Sequence, residues 1–410
     1  MPSFPVLLRA GLRSSGGRIV RRLGLLPGGD PDGLGDDRRL CDHAPQQRVV
    51  VFFPEPVRNA YQLQQWLTPL SALDEQHGVL VVTQDSRTTA ALRACTDLPV
   101  LCVGRTSTLD GLVARGRLGL ALYVSHHPRN FQLLRYPELA HVFIGHGDSD
   151  KGVSASNQLK AYDQSFVAGQ AAIDRIAGEL MWFDQQRLVV VGRPQLRPPS
   201  PRLPGLPRTV LYAPTWEGGQ PSVAYSSVLT HGEAVVRSLV ASGLRVVYRP
   251  HPRTGANRRD VAAADAALRR VFAEPDIAAS GSVVDVHGPL TDAFTAADLL
   301  VTDVSSVAVE WLPTGRPVVV TEPAAPGAVV GPSPLLDAVP RLTAAEAARA
   351  GELAVRCLDD DRGAADRAAL VEHYLGRADG SDSLARFVAA CGDLLARRDA
   401  ERDALAGATR

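Results

Sequence analysis

Lysine is almost missing from this chain. Lys151 and Lys160 are its only two, and arginine supplies the rest of the 44 basic residues. Acidic residues also number 44, so the formal net charge is zero. A nucleic-acid binder shows a basic excess or stripe, so that class falls away. Cysteine is scarce and odd in number: Cys41, Cys95, Cys102, Cys357 and Cys391, with no CxxC spacing. A disulfide framework and a zinc site are both disfavoured, and a reducing compartment is expected. No run of about 18 apolar residues occurs, so no membrane-spanning helix is expected. No GxGxxG follows the first strand candidate, which disfavours an NAD enzyme. What remains is an ordinary globular balance: 410 residues, 45% hydrophobic and 21% charged. That excludes a disordered chain and suits two domains.

The first 26 residues stand apart. They hold Arg9, Arg13, Arg18, Arg21 and Arg22 with apolar residues between them and no acid. No unbroken apolar core follows a basic start, so a secretory signal is not expected. One reading is an interfacial segment on an anionic bilayer. The other is a loose leader, or a helix packed on the body. Residues 28–37 (GGDPDGLGDD) read as a flexible acidic linker.

From residue 48 onward short β-branched runs alternate with amphipathic stretches. Strands are predicted at 48–53, 78–83, 99–103, 118–125, 141–146, 164–167 and 188–192, with helical stretches such as 60–76, 88–96 and 170–181 between them. A proline-rich run, RPQLRPPSPRLPGLPR at 193–208, can be neither helix nor central strand and reads as a linker. The alternation then restarts, with strands at 209–213, 245–249, 299–302 and 317–321. Helices are predicted at 226–242, 257–272, 291–297, 306–312 and 344–358, and a long one closes the chain at 383–406. The expected fold is therefore α/β: two Rossmann-like domains facing across a cleft, as in B-type glycosyltransferases (GT-B), with a C-terminal helix. The expected division is 1–40 leader and linker, 41–200 first Rossmann-like domain, 201–380 second Rossmann-like domain and 381–410 terminal helix.

Four constellations could carry chemistry. IGHGDSDKG (144–152) begins where a strand ends, and His146 beside carboxylates suits a general base; a capping loop histidine is the plainer reading. The nearby His126–His127 pair reads as structural. VLYAPTWEGG (210–219) opens the second half and places Thr215 and Trp216 after a strand, as cleft lining or as simple packing. VVYRPHPRTG (246–255) delivers Arg249, His251 and Arg253 at one strand end, with Pro250 and Pro252 stiffening the display. Three potential cations there suit a phosphate or pyrophosphate; a basic surface loop is the alternative. LLVTDVSSVAVEWL (299–312) ends a strand at Asp303 and starts a helix at Ser305 or Ser306, a natural phosphate position. Glu310 lies one turn inside and could take ribose hydroxyls, or it is a solvated glutamate behind a plain cap. Asp379–Gly380–Ser381 reads as a turn and cap.

In this order the pieces resemble the CDP-glycerol:poly(glycerophosphate) glycerophosphotransferase family, the teichoic acid polymerases and primases. The resemblance rests on His146, Gly147 and Lys151; on Tyr212 to Trp216, unaltered; on Arg249, His251 and Pro252; on Thr302, Asp303, Ser305, Ser306 and Glu310; and on Asp379–Gly380. It is strongest over 209–323. The family's His-Gly-Thr-Pro-Leu-Lys is His-Gly-Asp-Ser-Asp-Lys here, the Arg usual after Trp is Glu217, and the Tyr before Ser-Ser is Val304. The resemblance implies transfer of glycerol phosphate, or a related polyol phosphate, from a CDP-activated donor. The acceptor would be a hydroxyl on a membrane-anchored polymer or lipid-linked glycan, and CMP would leave. It implies His146 and His251 as catalytic residues. Gly147, Lys151, Thr215, Trp216, Arg249, Arg253, Asp303, Ser305, Ser306 and Glu310 would bind substrate. No metal, cofactor or nucleic acid is expected. The location would be cytoplasmic, with residues 1–26 offering a hold on the membrane's inner face. A nucleotide-sugar glycosyltransferase or epimerase is the alternative, and a non-catalytic nucleotide-binding relative the third reading.

Overall fold

The computed structural model describes residues 33–147, 156–196, 205, 207–286, 288, 290–376 and 380–408. The basic leader and Lys151 lie outside them. Two parallel sheets build the molecule. The first holds β1 (Val49–Phe53), β2 (Val79–Thr83), β3 (Val100–Cys102), β4 (Leu120–Tyr123), β5 (Ala140–Phe143), β6 (Gln164–Val167) and β7 (Leu188–Val190) in the order β3-β2-β1-β4-β5-β6-β7. The second holds β8 (Thr209–Ala213), β9 (Arg245–Tyr248), β10 (Val283–Val284), β11 (Leu299–Thr302), β12 (Val318–Thr321) and β13 (Arg341–Leu342) in the order β10-β9-β8-β11-β12-β13. Strands such as VVVFF and VLVVT are apolar throughout because helices bury both faces of a parallel sheet. This is the expected two-lobed α/β architecture of the GT-B type.

In each sheet the strand order reverses once, between β1 and β4 and between β8 and β11. The connections that follow the two neighbouring strands turn to opposite sides there, so the loops beyond their carboxyl ends part and leave a crevice. Those loops carry Glu55 and Ser125 in the first lobe and Thr215 and Ser305 in the second.

The closing helix Gly380–Ala408 crosses back to the first lobe. Its Phe387, Cys391, Leu394 and Leu395 share one core with Val49, Trp66 and Leu122. Arg48 pairs with Asp399 at 2.7 Å along the same seam. The helix Ala364–Leu375 also joins the lobes, since Tyr374 and Leu375 pack with Ala168 and Ala171 of the first.

Two expectations need correction. The acidic end of the 28–37 stretch is no flexible linker: Asp36 and Asp37 are buried. Asp36 accepts from Cys102 N at 2.8 Å and Arg93 Nη2 at 2.8 Å. Asp37 accepts from Gly104 N at 3.0 Å. Backbone N–H groups at the end of β3 need acceptors, and these carboxylates supply them. The proline-rich linker likewise starts later than 193. Arg193 is buried, and Gln195 and Leu196 line the cleft wall.

Candidate active site

The cleft between the lobes has a volume of about 820 Å³ and is lined from both sides. That is the size of a small-molecule site, with apolar walls and a few converging polar groups.

His146 follows β5. Its Nδ1–H donates to the Val124 carbonyl at 3.1 Å, and Gln62 Nε2 donates to its Nε2 at 3.4 Å. These partners assign the tautomer: Nδ1 carries the proton and Nε2 keeps its lone pair. Burial lowers the imidazole's pKa and the charges of Arg193 and Arg253 add to that, against the bond to the Val124 carbonyl and the pull of Glu55. The turn itself is pinned by Trp66, whose indole N–H donates to the Gly145 carbonyl at 2.5 Å. Gly145 takes φ 61°, where a side chain would be strained. Gly147 faces the other lobe: a Cβ on it would come to 3.4 Å from Ser306.

His251 follows β9 and shows the reverse arrangement. Its Nδ1 accepts from Arg253 N at 3.0 Å, so in the neutral ring Nε2 carries the proton. Its ring stacks on Trp216 at 6.3 Å, and the Arg253 guanidinium sits 3.8 Å from a Trp216 ring centroid. A cation held over an indole face in this way is well placed for a phosphate.

The structure therefore brings His146, Gly147, Thr215, Trp216, Arg249, His251, Arg253, Ser305, Ser306 and Glu310 to one cleft. Arg249 lines the cleft and also donates to Asp285 and, at 2.6 Å, to the Gly288 carbonyl. Glu310 is also engaged, in an ion pair with Arg193 at 2.6 Å.

Asp303 is a correction. It is fully buried and does not line the cleft. Its carboxylate accepts from Thr215 N at 2.7 Å, Ser227 N at 3.2 Å and Thr321 Oγ1 at 2.5 Å. Burial raises its pKa, and those donors oppose the rise. A carboxylate so placed ties β11 to the loop after β8 rather than touching substrate.

Sequence reasoning passed over several residues. Tyr61 and Gln62 sit in an amphipathic stretch without a motif, yet the Tyr61 ring meets both histidines edge-on. Arg193 falls inside the proline-rich run expected to be a linker. Glu217 stands where the resembling family usually has Arg. It is buried and accepts from Asn257 N at 2.6 Å, Gly255 N at 2.9 Å and Arg258 N at 3.2 Å, which holds the loop bearing His251 and Arg253. The His126 ring stacks on Phe143 at 4.0 Å, and His127 Nδ1 accepts from Arg129 N at 3.1 Å. Both contacts fit structural roles. Among the described residues no cluster of three His, Cys, Asp or Glu side chains could hold a metal ion, and no helix is long and apolar enough to cross a membrane.

Two lobes with a shared cleft at both strand-order reversals define a GT-B-type α/β protein. Solved structures share that fold. The wall teichoic acid polymerase TagF soaked with CDPG superposes with a TM-score of 0.56 at 11% identity, over 97% of this chain and 100% of that one. A glycosyltransferase from Rickettsia africae gives 0.52 at 10% identity, over 85% and 99%. The S. aureus MnaA–UDP complex gives 0.51 at 12% identity, over 82% and 94%. No curated protein sequence matches the chain. Residues 203–324 match the family model for CDP-Glycerol:Poly(glycerophosphate) glycerophosphotransferase, so in the second lobe the resemblance drawn from the motifs is a finding.

Proposed function

We propose that this protein transfers glycerol phosphate, or a related polyol phosphate, from a CDP-activated donor to an acceptor hydroxyl, releasing CMP. The observation that carries the reading is the meeting of His146 and His251 at Tyr61, one from each lobe, with opposite tautomers. The family match in the second lobe and the fold shared with a CDPG-soaked polymerase support the donor.

The chemistry follows from the side chains. The acceptor oxygen attacks the polyol-bearing phosphorus, and its proton passes to His146 Nε2. The bond from that phosphorus to the CMP oxygen breaks. His251 Nε2–H and the Arg253 guanidinium meet the charge that develops on the departing CMP. Ser305 and Ser306 take a phosphate at the start of the helix Ser306–Trp311, Glu310 takes ribose hydroxyls, and Thr215 and Trp216 complete the pocket. Gly147 allows the donor lobe's close approach. Arg249, braced by Asp285 and the Gly288 carbonyl, meets the donor's phosphates from the end of β9. Lys151 adds a cation from beyond the described residues. The first lobe, at about residues 41–200, receives the acceptor, and the second, 201–380, the donor. The acceptor is a membrane-anchored polymer or lipid-linked glycan. The site works at the cytoplasmic face, with residues 1–26 as a peripheral hold.

The shared fold with a glycosyltransferase and with a UDP complex favours one rival, a nucleotide-sugar enzyme. A thermal-shift panel of CDP-glycerol, CDP-ribitol and UDP-sugars separates them, followed by CMP release on acceptor membranes. Stabilisation by UDP-sugars alone would favour the rival, and donor binding without CMP release would favour a non-catalytic relative.

A further inference from the structure

Arg193 comes three residues after the end of β7, where the chain leaves the first sheet. Gly192 before it takes φ 80°, and a Cβ there would fall 2.2 Å from Ser383 Oγ, so the turn demands glycine. Arg193 is only 7% exposed, and its partner Glu310, on the second lobe's helix Ser306–Trp311, has an 11% exposed side chain. One nitrogen, Nη2, donates to Glu310 Oε1 at 2.6 Å and reaches the carbonyl of His146 at 3.4 Å. A single guanidinium thus touches the turn that carries the base and the helix that faces the donor.

A pair this dry is poor glue, because stripping water from both charges costs about as much as their attraction returns. What such a pair can supply is register, since these two charges meet only when the lobes stand close at this seam. The surroundings agree: Gly147 lies against Ser306 across the seam, while Trp66 holds Gly145 from the first lobe alone.

We propose that Arg193 is a positioning residue that couples the lobes, setting the His146 turn against the donor only when the Glu310 helix is seated. The rate readout rests on the proposed phosphotransfer; the coupling itself does not. Around the imidazole stand Tyr61, Gln62, Glu55, His126 and the Val124 carbonyl from the first lobe, Arg253 from the second, and Arg193 at the seam. Taking Arg193 away removes one of two nearby positive charges, so the imidazole would protonate more readily.

The test uses the full chain with Arg193→Ala and Arg193→Lys. Maximal CMP release from CDP-glycerol should fall about 100-fold in Arg193→Ala and about 10-fold in Arg193→Lys, as expected for a misplaced base. The affinity for CDP, read by calorimetry, should stay within about threefold. The acid limb of the rate profile should move to higher pH in Arg193→Ala. Small-angle scattering should show a larger radius of gyration for Arg193→Ala than for the parent. Turnover within about twofold of the parent, or a loss confined to donor KM, would overturn the proposal. If Arg193→Ala does not fold, Arg193→Lys decides by the same split between maximal rate and donor KM. If the parent releases no CMP from any CDP donor, the functional reading fails by itself. Scattering then decides the coupling, expansion supporting it and an unchanged profile ending it.

Discussion

His146 and His251 reach the same phenol ring from opposite lobes: their ring centroids lie 6.2 and 5.5 Å from that of Tyr61, both edge-on. Their hydrogen bonds give them opposite tautomers, one presenting a lone pair and the other an N–H. Replacing either by glutamine should leave a folded protein. CMP release should fall by about 10²–10⁴-fold in each case, the usual worth of a general acid or base. The CDP-induced thermal shift should survive in His146→Gln and shrink in His251→Gln. Parent-like turnover in either variant would remove that residue from the scheme.

The pH profile follows from the same geometry. His146 must be neutral to accept a proton. Burial and the neighbouring arginines lower its pKa below the ordinary 6.5. A base with a depressed pKa stays deprotonated as the pH falls through 6.5 and is lost only at its lower folded value. The acid limb of kcat/KM should therefore lie below pH 6.5, and an acid limb above it would contradict the assignment. His126, stacked on Phe143 with its pKa lowered to about 4 by burial, stays neutral across this range and should not contribute.

Asp303 gives a prediction of another kind. It holds Thr215 N, Ser227 N and Thr321 Oγ1 behind the cleft wall. Asp303→Ala strands those buried donors, and losing an acceptor of this kind costs on the order of 2–4 kcal/mol of stability. Asp303→Asn keeps an acceptor oxygen and should cost less. The variants' chemical-denaturation midpoints should drop, and donor KM should rise only together with that loss, through the loosened Thr215 loop. A normal midpoint with a raised KM would restore Asp303 to the substrate.

Much of this was legible in the sequence, for identifiable reasons. The short, β-branched apolar runs of β1, β2, β8 and β11, set between helical stretches, read as buried parallel strands, and the proline density between the halves excludes helix and central strand. The short edge strands Val283–Val284 and Arg341–Leu342 left no such signal, because two residues carry no period. Motifs at strand ends identified His146, His251 and Ser305, since an open α/β sheet delivers those positions to its crevice. Arg193, Tyr61 and Glu217 were not legible. Their roles depend on partners distant in the chain: Glu310 for the first, two histidines for the second, the backbone of 255–258 for the third. Asp303 is hard to place for the opposite reason, since a motif position two residues before a cleft-lining serine looks the same whether its side chain turns outward or inward.

Glu217 is the sharpest case for a final test. Its buried carboxylate receives three backbone N–H groups from 255–258 and so fixes the loop that presents His251 and Arg253. Bonds to a charged acceptor contribute about 1.5–3 kcal/mol each, though not additively within one cluster. Glu217→Ala should therefore lower stability by roughly 2–4 kcal/mol, and Glu217→Gln by less because an amide oxygen still accepts. The loop would then sample other positions before donor binding, so the CDP affinity should fall about tenfold in Glu217→Ala, the usual cost of ordering a segment on binding. Calorimetry with CDP, at a temperature where the variant is folded, measures this directly. An unchanged CDP affinity in Glu217→Ala would show that the His251 loop keeps its shape without this acceptor.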